Sequence, residues 1–252
     1  MEIDTSLDAD WRPAVNFEPR REGERPTILL MHYTGMESAE RALHWLTTAE
    51  SRVSCHYLVD EKGHITQMVH EEMRAWHAGE SYWAGETDIN SASIGIEIHN
   101  PGHGGNYSDF GENQMRAVET LSQDIIARHR IRRERVLGHS DVAPRRKTDP
   151  GEKFDWGRLA SAGIGHWVEP TRIEGDAGFG PGDESGEVER LQRQLAEYGY
   201  EIAQTGQYCE QTQAVVSAFQ RHFRPALVNG RADHSTIDTL DRLLRALAPA
   251  GV

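Results

Sequence analysis

Cysteine and long apolar stretches are both scarce in this chain of 252 residues. The two cysteines, Cys55 and Cys209, are too far apart in the sequence to suggest a disulfide framework or a cysteine-rich zinc site. The longest aliphatic run, residues 28–31, falls far short of the ~20 residues that a membrane-spanning helix needs. The N-terminus lacks the apolar stretch of a secretory signal, so we expect a cytoplasmic protein, or a periplasmic one if a leader has been removed.

Basic side chains are also scarce, and acidic ones outnumber them. The chain has 27 Lys and Arg against 40 Asp and Glu, which gives a formal net charge of −13. A surface of this sign repels phosphate backbones and anionic lipids, so we expect neither nucleic acid nor a membrane as a partner. Hydrophobic residues make up 37% of the chain, which is enough to form a packed core. What the sequence does contain in number is histidine, with 13 residues.

A stretch rich in glycine and proline divides the chain. Residues 169–187 contain five Gly and two Pro and almost no apolar periodicity, which is typical of a linker. We predict one domain over residues 1–170, a linker over 171–184 and a second domain over 185–252. In the second domain, apolar residues recur three times at helical spacing, which predicts a small three-helix bundle. The three stripes are Val188, Leu191, Leu195 and Tyr198; Ala214, Val215, Ala218, Phe219 and Phe223; and Ile237, Leu240, Leu244 and Leu247.

The first domain alternates between strand-like and helix-like periodicity. This alternation predicts the α/β class, with a mixed central β-sheet covered by helices. Strands are predicted at 27–33, 54–60, 65–69 and 93–100, and helices at 38–49, at 113–130 and in a short stretch after Phe154.

His32 ends one of the predicted strands, with the sequence ILLMHYTG. Alternation along a strand places Ile28, Leu30 and His32 on the same face. A histidine at the end of a strand can bind a metal in a cleft, although a single such histidine is more often a hydrogen-bonded packing residue.

The segment over residues 136–156, VLGHSDVAPRRKTDPGEKFDW, strengthens the metal hypothesis. It contains His139, Asp141, Lys147 and Asp149 in a stretch whose Pro and Gly residues predict a stiff, irregular backbone. The alternative is a solvated charged loop, which would not explain why these few residues are held so rigidly.

Glu97 lies on the predicted strand SIGIEI. Ile94, Ile96 and Ile98 share one face of this strand, so Glu97 lies on the opposite face beside Gly95. A carboxylate on a central strand is costly unless it is paired or faces a polar cleft. An ion pair with an arginine of a covering helix is the alternative to a catalytic role.

Two imidazoles and one carboxylate, from His32, His139 and Asp149, match the ligand set of a catalytic zinc with an open fourth position. In that arrangement Glu97 transfers a proton between the attacking water and the leaving amine, and Lys147 stabilises the oxyanion of the attacked carbonyl. We therefore predict a Zn²⁺-dependent amide hydrolase.

Five motifs occur in the order MHYTG, SCHYLVDEKGHITQMV, RAWHAG, SIGIEI and GHSDVAPRRKTDPGEKFDW. Over residues 20–168 the chain resembles the zinc-dependent N-acetylmuramoyl-L-alanine amidases of the AmpD/AmiD group, which share the peptidoglycan-recognition-protein fold. The resemblance implies the same zinc ligands and catalytic pair. It also implies hydrolysis of the amide between the lactyl group of N-acetylmuramic acid, or its 1,6-anhydro form, and the L-alanine of the stem peptide. Residues 206–240 resemble the small helical peptidoglycan-binding domain, so muropeptides are the expected partners.

The interpretation also suggests roles for other polar residues. His77 is expected to face the cleft and bind substrate, and Arg74 to bind a peptide carboxylate; packing of this loop by Trp76 is the alternative. His56 is expected to pack rather than to serve as a fourth ligand. The Gly-rich loop at 100–112 is interpreted as a lid or substrate-lining loop. No function is assigned to His44, His64, His70, His129, His166, His222 or His234.

Two other functions stay open on the sequence alone. One is a non-catalytic module that recognises peptidoglycan fragments, and the other is a zinc peptidase that cuts within the stem peptide.

Overall fold

The described part of the chain, residues 3–21 and 23–247 of a computed structural model, contains eight β-strands. In chain order they are β1 (Ala9–Trp11), β2 (Phe17–Pro19), β3 (Ile28–Tyr33), β4 (Tyr57–Val59), β5 (Ile65–Gln67), β6 (Met73–Ala75), β7 (Ser93–Ile98) and β8 (Val136–Gly138). Six of them form one sheet in the order β1-β5-β4-β7-β3-β8, in which only β4 and β5 are antiparallel. A separate antiparallel pair joins β2 to β6.

The helices of the described residues are α1 (Ala39–Thr47), α2 (Ile89–Ala92), α3 (Glu112–His129), α4 (His139–Val142), α5 (Trp156–Ser161), α6 (Gly186–Tyr198), α7 (Glu210–Phe223) and α8 (His234–Leu247). None of them is long and apolar enough to span a bilayer. The mixed sheet with its helices and the three C-terminal helices confirm the predicted fold class.

Alternation along the strands places the isoleucines of β7 and the candidate functional residues on opposite faces of the central sheet, as the sequence predicts for Glu97. Ile94, Ile96 and Ile98 pack in one cluster with apolar residues of α3. On the other face, the parallel register of β3 and β7 pairs His32 with Glu97. The two candidate functional residues are therefore cross-strand neighbours near the carboxyl ends of their strands.

Several short elements escaped the sequence analysis. The sequence does not predict the three-residue strands β1, β2, β6 and β8. The strands β4 and β5 are equally short, but they lie within the longer strand-like stretches at 54–60 and 65–69. The segment over 136–156, predicted to be irregular, begins with β8 and the single-turn helix α4. Gly138 packs closely against Pro150 of the same segment, so that a Cβ at position 138 would come within 2.8 Å of the proline side chain.

The C-terminal bundle packs directly against the sheet region. One continuous hydrophobic cluster contains Ile28, Leu30 and Leu137 from the sheet and Leu195, Phe219 and Phe223 from the bundle. At this contact the Gly199 Cα lies close to the indole of Trp83, and a Cβ on it would come within 2.7 Å of the ring. The boundaries between the two domains and the linker, at residues 170 and 184, stay a prediction.

Candidate metal centre and active site

The three parallel strands β3, β7 and β8 place the candidate residues at one edge of the sheet. His32 and Glu97 each lie one residue before the end of their strands, and His139 begins α4 directly after β8. Ligands of α/β sheets bind in the crevice at the carboxyl ends of strands, because the loops diverge there. A cleft of about 450 Å³ lies at this edge.

Three donor atoms converge at the buried side of the cleft. The Nδ1 atoms of His32 and His139 are 2.9 Å apart, and each lies 3.1 Å from Oδ2 of Asp149. All three side chains are buried. Two imidazole nitrogens and a carboxylate oxygen are borderline to hard donors of the kind that zinc and similar divalent ions accept. The donor set thus fits a metal with three protein ligands.

The main chain brings Asp149 to the two histidines. The backbone N–H of Ser140, on α4, donates to the carbonyl of Asp149 at 2.9 Å, which ties the two ends of the segment together. Burial alone would raise the pKa of Asp149, but the imidazoles of His139 and His32 hold it well below its usual range. Burial and the neighbouring His139 also lower the pKa of His32 to about 4. At neutral pH the site therefore has a carboxylate and a neutral imidazole, as metal binding requires.

The outer nitrogen of each imidazole is also engaged. His139 Nε2 lies 3.0 Å from the carbonyl oxygen of Ala78, and His32 Nε2 lies 3.0 Å from Nδ1 of His77. Metal-binding histidines commonly have such partners, because a hydrogen bond at one nitrogen fixes which nitrogen is free for the metal.

A second group of donors overlaps with the first. His32, Cys55 and His77 also lie close enough together to share an ion. The thiol of Cys55 is fully buried, and burial together with the charge of Glu97 raises its pKa well above the usual value. Because a metal binds the thiolate, this group is the less suitable of the two.

Glu97 and Lys147 both line the cleft beside the three donors. Oε2 of Glu97 is buried and has no hydrogen-bond partner within the described residues, so no contact supports the alternative of an ion pair with a helix arginine. Burial, followed by the charge of Asp149, raises the pKa of Glu97 well above its usual value, and the charge of Lys147 opposes this shift. A carboxyl group with a raised pKa beside a cation is suited to proton transfer near neutral pH.

The polar atoms of His77 and Arg74 contact other protein groups, and their predicted contacts with substrate stay a prediction. His77 lines the cleft, but its two nitrogens face His32 and, at 3.3 Å, the hydroxyl of Ser93. The guanidinium of Arg74 pairs with Glu18 and with Asp88, at 2.9 Å for the latter. The motif RAWHAG suggested a substrate contact for both residues but could not show which neighbours contact their polar atoms.

His56 packs as expected. Its Nδ1 accepts the backbone N–H of Gly95 at 3.0 Å, and its Nε2 lies 3.1 Å from the carbonyl of Met73. The loop at 100–112 contacts the segment that carries Asp149, because the hydroxyl of Tyr107 donates to the carbonyl of Pro150 at 2.9 Å. The role of this loop as a lid stays a prediction.

His222, to which the sequence analysis assigned no function, contacts the segment that carries His139 and Asp149. Its Nδ1 lies 2.7 Å from Oδ2 of Asp141, which also accepts the backbone N–H of Gly138 at 2.7 Å. The hydroxyl of Tyr200 donates to the other carboxylate oxygen of Asp141 at 2.7 Å. Asp141 thus joins α4 to the bundle. No sequence pattern linked it to His222, which lies 81 residues further along the chain.

Two family profiles match the chain. The profile described as "N-acetylmuramoyl-L-alanine amidase" matches residues 22–152, about half of the chain, and that of a "putative peptidoglycan binding domain" matches residues 184–240.

Curated proteins with this activity in their names are similar over much of the chain. The N-acetylmuramoyl-L-alanine amidase AmiD of Escherichia coli is 40% identical over 236 residues, which cover 87% of this chain and 83% of that protein. The 1,6-anhydro-N-acetylmuramyl-L-alanine amidase AmpD of Enterobacter cloacae is 31% identical over 170 residues, which cover 61% of this chain and 89% of that protein.

Solved structures agree with these similarities. The complex of E. coli AmiD with anhydro-N-acetylmuramic acid-L-Ala-D-gamma-Glu-L-Lys superposes with a TM-score of 0.74 at 37% identity, covering 90% of this chain and 93% of that one. Pseudomonas aeruginosa AmpDh3 in complex with anhydromuramic pentapeptide gives a TM-score of 0.71 at 31% identity, covering 89% and 93% of the two chains.

Proposed function

The chain belongs to the N-acetylmuramoyl-L-alanine amidase family, and from this we propose that it is a zinc-dependent member that acts on muropeptides. The bond cleaved is the amide between the lactyl group of N-acetylmuramic acid, or its 1,6-anhydro form, and the L-alanine of the stem peptide. The observation that carries the proposal is the convergence of His32, His139 and Asp149, with donor atoms 2.9–3.1 Å apart, at the floor of a cleft.

We propose that Nδ1 of His32, Nδ1 of His139 and Oδ2 of Asp149 hold the zinc. When bound, a zinc ion supplies Lewis acidity, which makes water a better nucleophile and polarises a carbonyl group. The pairing of each outer imidazole nitrogen with His77 or Ala78 supports this assignment, because it turns both Nδ1 lone pairs towards Asp149.

Glu97 is the proposed general base and acid. Its carboxylate takes a proton from the water that attacks the lactyl carbonyl, and then gives a proton to the nitrogen of L-alanine as the C–N bond breaks. The products are a lactyl carboxylate and a free peptide amine. The ammonium of Lys147, on the wall of the same cleft, stabilises the negative charge that develops on the carbonyl oxygen.

Muropeptides are the proposed substrate because two similar solved structures contain them. AmiD and AmpDh3 are both described in complex with anhydromuramyl peptides, and both align with about nine-tenths of this chain. The cleft of about 450 Å³ is large enough to hold the lactyl and alanyl groups around the scissile bond.

The test is digestion of a defined anhydromuramyl tripeptide, followed by mass spectrometry. The proposal predicts two products, anhydro-N-acetylmuramic acid and a peptide with a free L-alanine amine. Fragments cut within the stem peptide would instead indicate a peptidase, and binding without any cleavage would indicate a recognition module.

The variant Glu97→Gln tests the proton-transfer role, because glutamine has the same shape but cannot transfer a proton as a carboxylate does. We expect kcat to fall by about 10²–10⁴-fold while the zinc content stays at the wild-type level. Undiminished turnover in this variant would refute the role of Glu97.

A further inference from the structure

Two adjacent residues contact the outer nitrogens of both candidate imidazole ligands. The side chain of His77 meets Nε2 of His32 at 3.0 Å, and the carbonyl oxygen of Ala78 meets Nε2 of His139 at 3.0 Å. The two histidines come from separate elements, β3 and α4. The dipeptide His77–Ala78 is therefore a common point of support for both.

The positions of the protons follow from groups that can only accept. A carbonyl oxygen has no proton, so His139 must donate from Nε2 to Ala78, which leaves the lone pair of its Nδ1 free. The hydroxyl of Ser93 lies 2.5 Å from the carbonyl of Ile89 and donates to it, so Ser93 Oγ is an acceptor for Nε2 of His77. A neutral His77 with its proton on Nε2 accepts at Nδ1. His32 must then donate from Nε2, and its Nδ1 lone pair also faces Asp149.

Backbone contacts hold the dipeptide in place. The Oδ1 atom of Asn90, a buried residue of α2, accepts the backbone N–H of His77 at 3.0 Å and that of Ala78 at 2.8 Å. On the neighbouring strand, a Cβ at Gly95 would come within 2.6 Å of Nδ1 of His77. Only glycine at this position leaves room for the imidazole beside the sheet.

We propose that His77 and Ala78, held by Asn90, form a positioning element that orients both imidazoles of the metal centre, and that His77 fixes the proton of His32 on Nε2. This inference rests on the proposed function, since it presumes that the Nδ1 atoms bind zinc. It gives His77 a role in addition to the substrate contact that the sequence suggested, which stays a prediction.

A pair of nearly isosteric variants isolates the hydrogen bond from the volume of the side chain. In His77→Asn the Oδ1 atom, bonded to Cγ as Nδ1 is in histidine, can still accept from His32. In His77→Leu a methyl group occupies this place. The dissociation constant for zinc is measured for each full-length protein by competition with a chelator, with thermal unfolding recorded alongside.

We expect His77→Leu to bind zinc about 10- to 100-fold more weakly than the wild type, the range typical for loss of a partner of a metal-binding histidine. His77→Asn is expected to stay within about threefold of the wild type, a smaller change than the lower limit of that range. The control is His166→Leu, which also removes a buried imidazole, one whose Nδ1 lies 2.8 Å from the hydroxyl of Tyr198. It should lose thermal stability and keep its affinity for zinc.

Two outcomes would overturn the inference while leaving the proposed function intact. One is His77→Leu with wild-type affinity, and the other is His77→Asn as weak as His77→Leu, since the acceptor would then have no effect. A wild-type protein that binds no zinc would contradict the proposed function itself, and this inference with it.

Discussion

Asp141 and Asp149 lie eight positions apart on one segment, are both buried, and have opposite surroundings. Asp141 faces the bundle, whose Tyr200 hydroxyl and His222 imidazole contact it, and it also accepts the backbone N–H of Gly138 from its own segment. Asp149 faces the cleft, where Oδ2 meets the Nδ1 atoms of two histidines. The protons of those histidines are used elsewhere, by Ala78 and His77.

This difference in surroundings distinguishes Asp141, a structural carboxylate, from Asp149, a candidate metal ligand. The donors around Asp141 compensate its burial and hold α4 against the bundle. Around Asp149 the lone pairs of two imidazoles converge on a carboxylate oxygen, and a divalent cation would satisfy all three. Burial and charge alone do not distinguish the two aspartates. The direction of the neighbouring protons does.

The largest effect is expected for Asp149→Asn, which keeps the shape of the side chain and removes its charge. We expect loss of zinc and a fall in kcat/KM of roughly a thousandfold, about 4 kcal/mol, because the Lewis acid is lost with its ligand. Metal analysis and muropeptide kinetics on the same preparation check this. A variant that lost activity but kept its zinc would give Asp149 a role other than metal binding.

Asp141→Asn tests the other side of the comparison. An amide has one accepting oxygen, so it cannot keep the bonds from Gly138 and His222 at Oδ2 and the bond from Tyr200 at Oδ1 as they are; the free energy of unfolding should fall by up to about 3 kcal/mol. Urea unfolding measures the loss. At temperatures where the variant is folded, its zinc affinity should change far less than that of Asp149→Asn. An equal loss of zinc in the two variants would remove the distinction between them.

Glu71 is a third buried carboxylate, and it extends the comparison to pH. Burial would raise its pKa, but His129, Arg128 and the hydroxyl of Tyr57 lower it to about 2. Because the pKa is depressed on folding, the stabilisation is complete above the unfolded value near 4.5 and is lost as the pH falls towards 2. Glu71→Gln should therefore cost about 3 kcal/mol of unfolding free energy at pH 7 and much less near pH 2.5. A cost that does not change with pH would contradict this.

The smallest effect is expected at Arg74, whose ion pairs with Glu18 and Asp88 are partly exposed. Arg74→Ala should lower the free energy of unfolding by about 1 kcal/mol or less. The KM for a muropeptide should stay unchanged, because the guanidinium is occupied by protein carboxylates. A large rise in KM would instead support the substrate-binding role that the sequence suggested.

The sequence predicted the parts of the site that depend on local periodicity. Alternation showed which face of its own strand each of His32 and Glu97 occupies, but only the register of β3 and β7 shows that they are neighbours on one face of the sheet. The sequence could not predict partners that a motif does not encode. The carbonyl of Ala78 is a main-chain atom with no side-chain signature, and Asp141 meets His222 only through packing of the bundle on the sheet.

The most direct test of the metal assignment is X-ray absorption spectroscopy of the zinc-loaded protein. We predict a first shell of nitrogen and oxygen only, at about 2.0–2.1 Å, with the multiple-scattering signature of two imidazoles. A sulfur shell at about 2.3 Å would show that zinc binds Cys55 with His32 and His77 instead, and would contradict the ligand set His32, His139 and Asp149.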